Sequence, residues 1–443
     1  MAKYPARVAI DPARYSPDLN DPEVFYGLPK EVRFCRKSLI SNQRPNSAVE
    51  FKHRRESKKE TVHFDENGVS DAWHVAQRKR GIDWQARREE LEAVLSKHRR
   101  NDGHYDILVP GSGGKDSFYA AHVLKYEFGM HPLTVTWAPH MYTDWGWRNQ
   151  QAWIHSGFDN YLMTPNGRVH RLLTRLAVEN ILHPFQPFIL GQKQLAPKLA
   201  TLFNIPLVMY GESEAEYGNP KEDAEQAQRA WDYFARQDDE DVYLGGSSVS
   251  ELVGDFGLDR VDLEPYLPPD PKQMSDAGIE VHYLGYYMQW HPQSAYYYSV
   301  EHGGFEASPE RTAGTYSKYN SIDDKIDDFH YYTTFIKFGI GRCMYDASQE
   351  IRSGDIEFDE GVALVKRYDG EFPERFAKEI FEYLSLPPEQ FPVASKQFGQ
   401  PIMDRAYFDN LCDRFRSPHL WMQKDGQWEL RHKPWEEASE LKD

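Results

Sequence analysis

Cysteine is scarce: the 443-residue chain has three, Cys35, Cys343 and Cys412. Three thiols build neither a disulfide framework nor a four-cysteine zinc site. Surplus positive charge is missing as well, since 52 Lys and Arg against 69 Asp and Glu leave -17 with histidine neutral. A field of that sign works against loose binding to nucleic acid or anionic lipid, but it still permits a local basic pocket. No window approaches the ~20 apolar residues of a membrane span. The opening MAKYPARVAIDPARY lacks the apolar stretch of a signal peptide. A cytoplasmic address is therefore expected. Tandem repeats are absent too. Aromatic residues are plentiful at 14%, which excludes a disordered chain.

The length predicts about three domains at roughly 150 residues each, or two with elaborations. Residues 1–100 read as a small, basic N-terminal domain, either appended or wrapped around its neighbour, with one helix starting near Trp84, whose Leu91, Val94 and Leu95 share a face. Residues 101–345 alternate strand and helix. YDILVP, HPLTVTWAP, NYLMT and IPLVMYG are the strand candidates, and RVHRLLTRLAVENIL is a helix with Val169, Leu172, Leu173, Leu176 and Ile181 near one stripe. This predicts an α/β domain with a mainly parallel sheet and helices on both faces. It carries an acidic, aromatic insertion from about 212 to 332, in which YLGYYMQW reads as a strand and DDED at 238–241 as a solvated face. Residues 346–443 read as a helical C-terminal region whose final WELRHKPWEEASELKD is surface or a frayed terminus.

One motif concentrates the chemistry: Gly111-Ser112-Gly113-Gly114-Lys115-Asp116-Ser117, directly after YDILVP and opening a helix. Glycines let several backbone N–H groups converge on one anion. The helix adds its positive end, Ser112 and Ser117 add hydroxyl donors, and Lys115 adds a charge. That combination is a phosphate or pyrophosphate cradle, distinct from the GxxxxGK[ST] loop and from GxGxxG. The alternative is a glycine-rich turn with no ligand.

SGGKDS resembles the signature of the PP-loop, or N-type ATP pyrophosphatase, superfamily, which implies an adenine nucleotide alpha hydrolase-like fold. More of the chain, over roughly residues 30–385, resembles the N-acetyl sugar amidotransferases of surface-polysaccharide and lipopolysaccharide biosynthesis, including O-antigen. The similar stretches are GVSDAW near Gly68, the loop at 111–117, residues 188–218, residues 319–354 and VALVKRYDGEFP. The resemblance implies ATP and Mg²⁺ as cofactors and a UDP-linked N-acetyl sugar, a 2,3-diacetamido uronic acid, as substrate. ATP would adenylate the 3-acetamido oxygen and release pyrophosphate. Ammonia would then displace AMP and leave an acetamidino group. It also implies an ammonia-supplying partner resembling the glutaminase of imidazole glycerol phosphate synthase, often with a cyclase-like subunit. Relatives carry a cysteine-rich zinc motif, whereas here only Cys35 remains, with Ser38, Ser70 and Trp73 in the other places. No zinc is expected, and Phe34, Phe64 and Trp73 are expected to hold this part by packing, with His63 and His74 as surface groups.

Further candidates surround this core. Gly191 and Gln192 lie either beside the nucleotide or at the start of a helix. Gly211 closes IPLVMYG, where open α/β sheets bind ligands; Glu212 after it is a Mg²⁺ ligand or a solvent-facing carboxylate, and Glu216 is a weaker candidate of the same kind. Asp116 binds Mg²⁺, orders the loop or complements the helix dipole. Asp323, Asp324, Asp327 and Asp328 read as solvated acids at a helix start. Lys337 and Arg342, flanking Gly339 and Gly341, are candidates to neutralise pyrophosphate or the sugar nucleotide diphosphate. Glu350 and Arg352 are either substrate groups or a structural ion pair. Cys343 lacks the context of a nucleophile, and nothing reads as an internal glutaminase. Two other functions compete, a tRNA-modifying or thiolating enzyme and a non-catalytic nucleotide-binding subunit. The -17 charge weighs against RNA.

Overall fold

The computed structural model describes residues 10–46, 50–211, 226–229 and 242–441. At its centre lie five parallel strands: β1 (Ile107–Pro110), β2 (Pro132–Trp137), β3 (Asn160–Met163), β4 (Leu207–Tyr210) and β5 (Glu280–Tyr283). Their order is β3-β2-β1-β4-β5, and all pairs are parallel. Side chains alternate between faces along a strand, and the core follows that period. Leu108 and Val208 join one apolar cluster with Leu133, Val135 and Val281. Ile107, Val109, Leu207 and Met209 join another on the opposite face. Both faces are covered, as a parallel sheet requires.

The α/β expectation thus holds, and each strand candidate in the first half of the domain is a strand. YLGYYMQW is not. The fifth strand is the preceding EVHY, and Leu284–Tyr287 is a short helix. Continuous apolar character in that stretch does not distinguish a strand from a buried helix.

The helix Trp84–His98 buries Leu91 and Leu95 fully against the second cluster. The helix Gly167–Ile181 buries every residue of the expected stripe. The helix Gln186–Phe203 lies against β1 and β2, with Gln186 at its first position rather than Gly191. Further helices span Pro292–Gly303, Asp327–Phe338, Arg342–Ser353, Phe358–Tyr368 and Arg405–Asp413.

The N-terminal segment shares its core with the C-terminal one. Tyr15, Leu28, Phe34, Leu39 and Phe64 pack with Ile340, Met344, Ile351, Val365 and Trp421 in a single cluster, and Trp73 is half-buried against it. The C-terminal region is not purely helical. Trp421–Lys424 and Gln427–Leu430 form a hairpin across Asp425-Gly426, and Tyr15 meets Trp428 edge-on at 4.8 Å. The Asp-Gly pair was the sequence signal for that turn. Arg431 binds the carbonyls of Ser16, Pro418 and Trp421, so this stretch is docked rather than frayed.

Candidate functional site

The chain runs β1, β2, β3 to one side and then crosses to β4 on the other, which makes the carboxyl ends of β1 and β4 the switch point of the sheet. Open α/β sheets bind ligands in that crevice. The Gly111–Ser117 loop leaves β1 there, and Gly211 ends β4 there. A Cβ on Gly211 would sit 3.0 Å from the carbonyl oxygen of Asp116, so the end of β4 touches the first turn of the helix that follows the loop.

Glycine is required in this loop by space as well as by torsion. Gly113 has φ +84°, and a Cβ on it would lie 2.7 Å from Gln150 Cα and 2.9 Å from the Asn149 oxygen. At Gly111 it would meet Ser117 Cβ at 2.1 Å. The helix Asp144–His155 therefore lies directly on the loop. Its Asn149 is anchored to Glu306 by two hydrogen bonds of 2.9 and 2.8 Å, and Tyr142 donates to Gln150 at 2.7 Å. The loop helix, Lys115–His122, has no side-chain cap. Its first N–H groups keep the positive end of the helix open to an anion.

The charged groups are held in place. The Lys115 ammonium pairs with Asp116 and lies 5.8 Å from the Trp290 ring centroid. Trp290 Nε1 donates to the other Asp116 oxygen at 2.8 Å. Ser299 Oγ donates to the Lys115 carbonyl at 3.0 Å, and a Cβ on Gly303 would clash with Phe118 at 2.0 Å, so the helix Pro292–Gly303 pins the start of the loop helix. Ser117 donates back to the Gly114 carbonyl at 3.1 Å. The Ser112 hydroxyl adjoins the carboxylate of Asp323 and lowers its pKa.

That last contact brings the acidic run to the loop. Asp323 lies against Gly146, and its carbonyl accepts from Thr143 N at 3.1 Å. Asp324, Asp327 and Asp328 are buried rather than solvated, and Asp323 is half-buried. Asp324 is 3% exposed and accepts from His140 N and Nδ1, each at 2.7 Å. Burial raises Asp323, raises Asp327 well above the ordinary carboxylate value and pushes Asp328 up to about 7, with neighbouring aspartates adding to the first two. Helix-start periodicity was legible, but the contacts that bury the run come from the loop and from residues 140–143 after β2, distant in sequence. Trp290, Asn149 and Gln150 were missed for the same reason.

The remaining candidates fall elsewhere or partly so. Arg342 pairs with Asp346 at 3.0 Å, stacks 4.2 Å over Tyr331 and acts electrostatically on Asp327, at the rim of the acidic cluster. Lys337 is buried, donates to the Ile181 carbonyl at 2.7 Å, and has burial and the nearby Lys59 lowering it to about 7. Its contacts are with Tyr26, Phe338 and Phe415, not with the loop. Glu350 accepts from Tyr316 at 2.7 Å and is raised by burial to about 7, while Arg352 donates to Ser348 at 2.7 Å, which favours structural roles for both. Glu212, Glu216 and the acidic run 238–241 lie outside the described residues.

Gly191 is inside a helix and Gln192 is exposed on it. A Cβ on Gly191 would fall 2.2 Å from the Trp137 ring. Gly191→Ala is accordingly expected to cost about 1–3 kcal/mol through overpacking, read as a lower unfolding midpoint. A nucleotide contact predicts instead a raised KM for ATP without a stability loss.

In the N-terminal segment Cys35 Sγ accepts from Ser70 N at 3.3 Å, and the hydroxyls of Ser38 and Ser70 are 3.3 Å apart. The substituted positions therefore meet in one place. His74 pairs with Asp65 at 2.9 Å instead. Cys343 is buried, and burial raises its thiol pKa, which removes it as a nucleophile.

The fold and loop define an α/β protein with a glycine-rich loop at the switch point of its parallel sheet. Residues 313–434 match the family model of the LPS biosynthesis protein WbpG-like C-terminal domain. That span contains Asp323, Asp324, Asp327 and Arg342, and the match supports a role in lipopolysaccharide biosynthesis. No curated protein matches the chain. Among the described residues no helix is long and apolar enough to cross a membrane.

Proposed function

We propose that the chain is an ATP-dependent, AMP-forming amidotransferase of the PP-loop type that converts an acetamido group of a UDP-linked sugar, a 2,3-diacetamido uronic acid, into an acetamidino group. The observation that carries this reading is the contact of Ser112 in the loop with Asp323 in the stretch that matches an LPS biosynthesis family. A phosphate cradle and the polysaccharide-related part of the chain thereby line one crevice.

An amide is a poor electrophile, and its oxygen is a poor leaving group. Attack of that oxygen on the α-phosphorus of ATP expels pyrophosphate and gives an O-adenylyl imidate. Ammonia then adds to the activated carbon, and AMP leaves with the former amide oxygen. The N–H groups at the start of the loop helix and Lys115 would hold the phosphates, acting where negative charge develops. Trp290 orients Asp116, and Asp116 orients Lys115.

The residues fit Mg²⁺ at Asp323 better than at Asp116. Asp323 is a half-buried carboxylate whose perturbing neighbours include no cation, whereas both oxygens of Asp116 are engaged. Bound there, Mg²⁺ would neutralise phosphate charge. Ammonia would come from a separate glutaminase, with a cyclase-like subunit in the same assembly.

Incubation with ATP, Mg²⁺, ammonium and a UDP-linked diacetamido uronic acid should yield AMP, pyrophosphate and a sugar lighter by the difference between O and NH. Formation of ADP would overturn the reading, and turnover that requires tRNA would replace it.

A further inference from the structure

Outside the loop site, Glu50, His53 and His183 turn one ligating atom each toward a common point. Glu50 and His53 stand three residues apart at the turn Glu50–Lys52, and His183 follows Leu182, whose φ of 45° ends the helix Gly167–Ile181. Glu50 Oε2 lies 3.4 Å from His53 Nδ1 and 3.7 Å from His183 Nε2, and all three atoms are within 4.8 Å of one another. A tetrahedral ion with nitrogen and oxygen ligands at about 2.0–2.1 Å spaces its donors by roughly 3.3 Å. Two edges of such a site already match to within a few tenths of an ångström.

The framework around these atoms is rigid. Phe51 is 2% exposed in the main core. Gln186 donates to the carbonyls of Glu50 and Tyr243 at 3.1 and 3.0 Å, and accepts from Gly245 N at 2.8 Å. His183 stacks on His330 with ring centroids 5.0 Å apart. The ligand atoms are thus positioned by packing rather than by chance proximity of mobile side chains.

We infer that Glu50, His53 and His183 form a site for a first-row divalent transition metal, with three protein ligands and one open position. Two imidazoles and a carboxylate are the donor set of His₂Glu zinc centres. Bound metal would fasten the N-terminal segment to the end of a sheet-packing helix, independently of the cysteine positions and of the ATP chemistry.

Two cations face the cluster, Lys59 and Lys337. Lys59 Nζ is 3.4 Å from His53 Nδ1 and takes the place from which a metal must displace it. Lys59 is therefore a competitor built into the site.

The test is calorimetric titration of the chelator-treated full chain with Zn²⁺, with Co²⁺ absorption as a second probe. The inference predicts one equivalent of Zn²⁺, a rise in thermal midpoint on binding, and tighter binding in Lys59→Met. Glu50→Gln and His183→Gln, checked for folding by circular dichroism, should weaken binding by more than the roughly 10–100-fold that loss of an outer-shell partner costs. Absence of stoichiometric zinc in both wild type and Lys59→Met would overturn it. So would unchanged affinity in folded Glu50→Gln and His183→Gln.

Discussion

Asp323→Asn is expected to make the protein more stable at neutral pH and to reduce AMP formation by roughly 100-fold, the scale of losing one preorganised electrostatic group. The two effects have one cause. Burial raises the folded-state pKa of Asp323, Asp324 adds to that, and the adjoining Ser112 hydroxyl only partly opposes it. A carboxyl with a raised folded pKa binds its proton more tightly when folded. Its ionisation therefore costs stability as pH climbs from the ordinary Asp value, about 3.9, through the folded one. Asparagine carries no such cost. The variant should show the higher unfolding midpoint at pH 7.5, and the gap should close as pH falls toward that value. A destabilised variant at pH 7.5 would mean that Asp323 is satisfied in the free protein.

Gly113→Ala tests the cradle itself. The expected result is a drop in AMP formation of about 100-fold, the scale on which a misplacement of about 1 Å acts. A left-handed backbone costs a non-glycine residue roughly 1–2 kcal/mol, and the added Cβ also meets main chain, with Gln150 Cα at 2.7 Å and Gln150 N at 2.9 Å. Main chain cannot rotate away, so the loop or the helix Asp144–His155 must shift. Gly103→Ala is the control. Its φ is +82°, nearly the same, but nothing lies within 4 Å of its Cβ. It should lose stability and keep activity. Equal activity losses in both variants would assign the effect to backbone strain alone.

How much of this was legible beforehand depends on the range of the contact involved. The strands β1 to β4 and the helices Trp84–His98 and Gly167–Ile181 carry local periodicity or short apolar runs, and each was readable. The loop was readable because its glycines, serines and lysine are consecutive. The packing of residues 15–69 against residues 338–365 and 420–421 had no local signal, since both surfaces are made of scattered aromatic and aliphatic residues. Lys337 illustrates the limit. A lysine beside glycines suggested an anion contact, yet burial among Tyr26, Phe338 and Phe415 gives it a carbonyl partner instead. Asp323 and its neighbours erred in the other direction: four acids in six residues look like a solvated helix start, and only tertiary contact with Ser112, His140 and Arg342 brings them to the crevice.

The most direct measurement follows one oxygen atom. A UDP-linked diacetamido uronic acid labelled with ¹⁸O in the 3-acetamido group is turned over with ATP, Mg²⁺ and ammonium, and the nucleotide products are read by mass spectrometry. Adenylation of the amide predicts ¹⁸O in the phosphate of AMP, in step with amidine formation, and unlabelled pyrophosphate. Label found in inorganic phosphate alongside ADP, or AMP formed without label, would contradict the account.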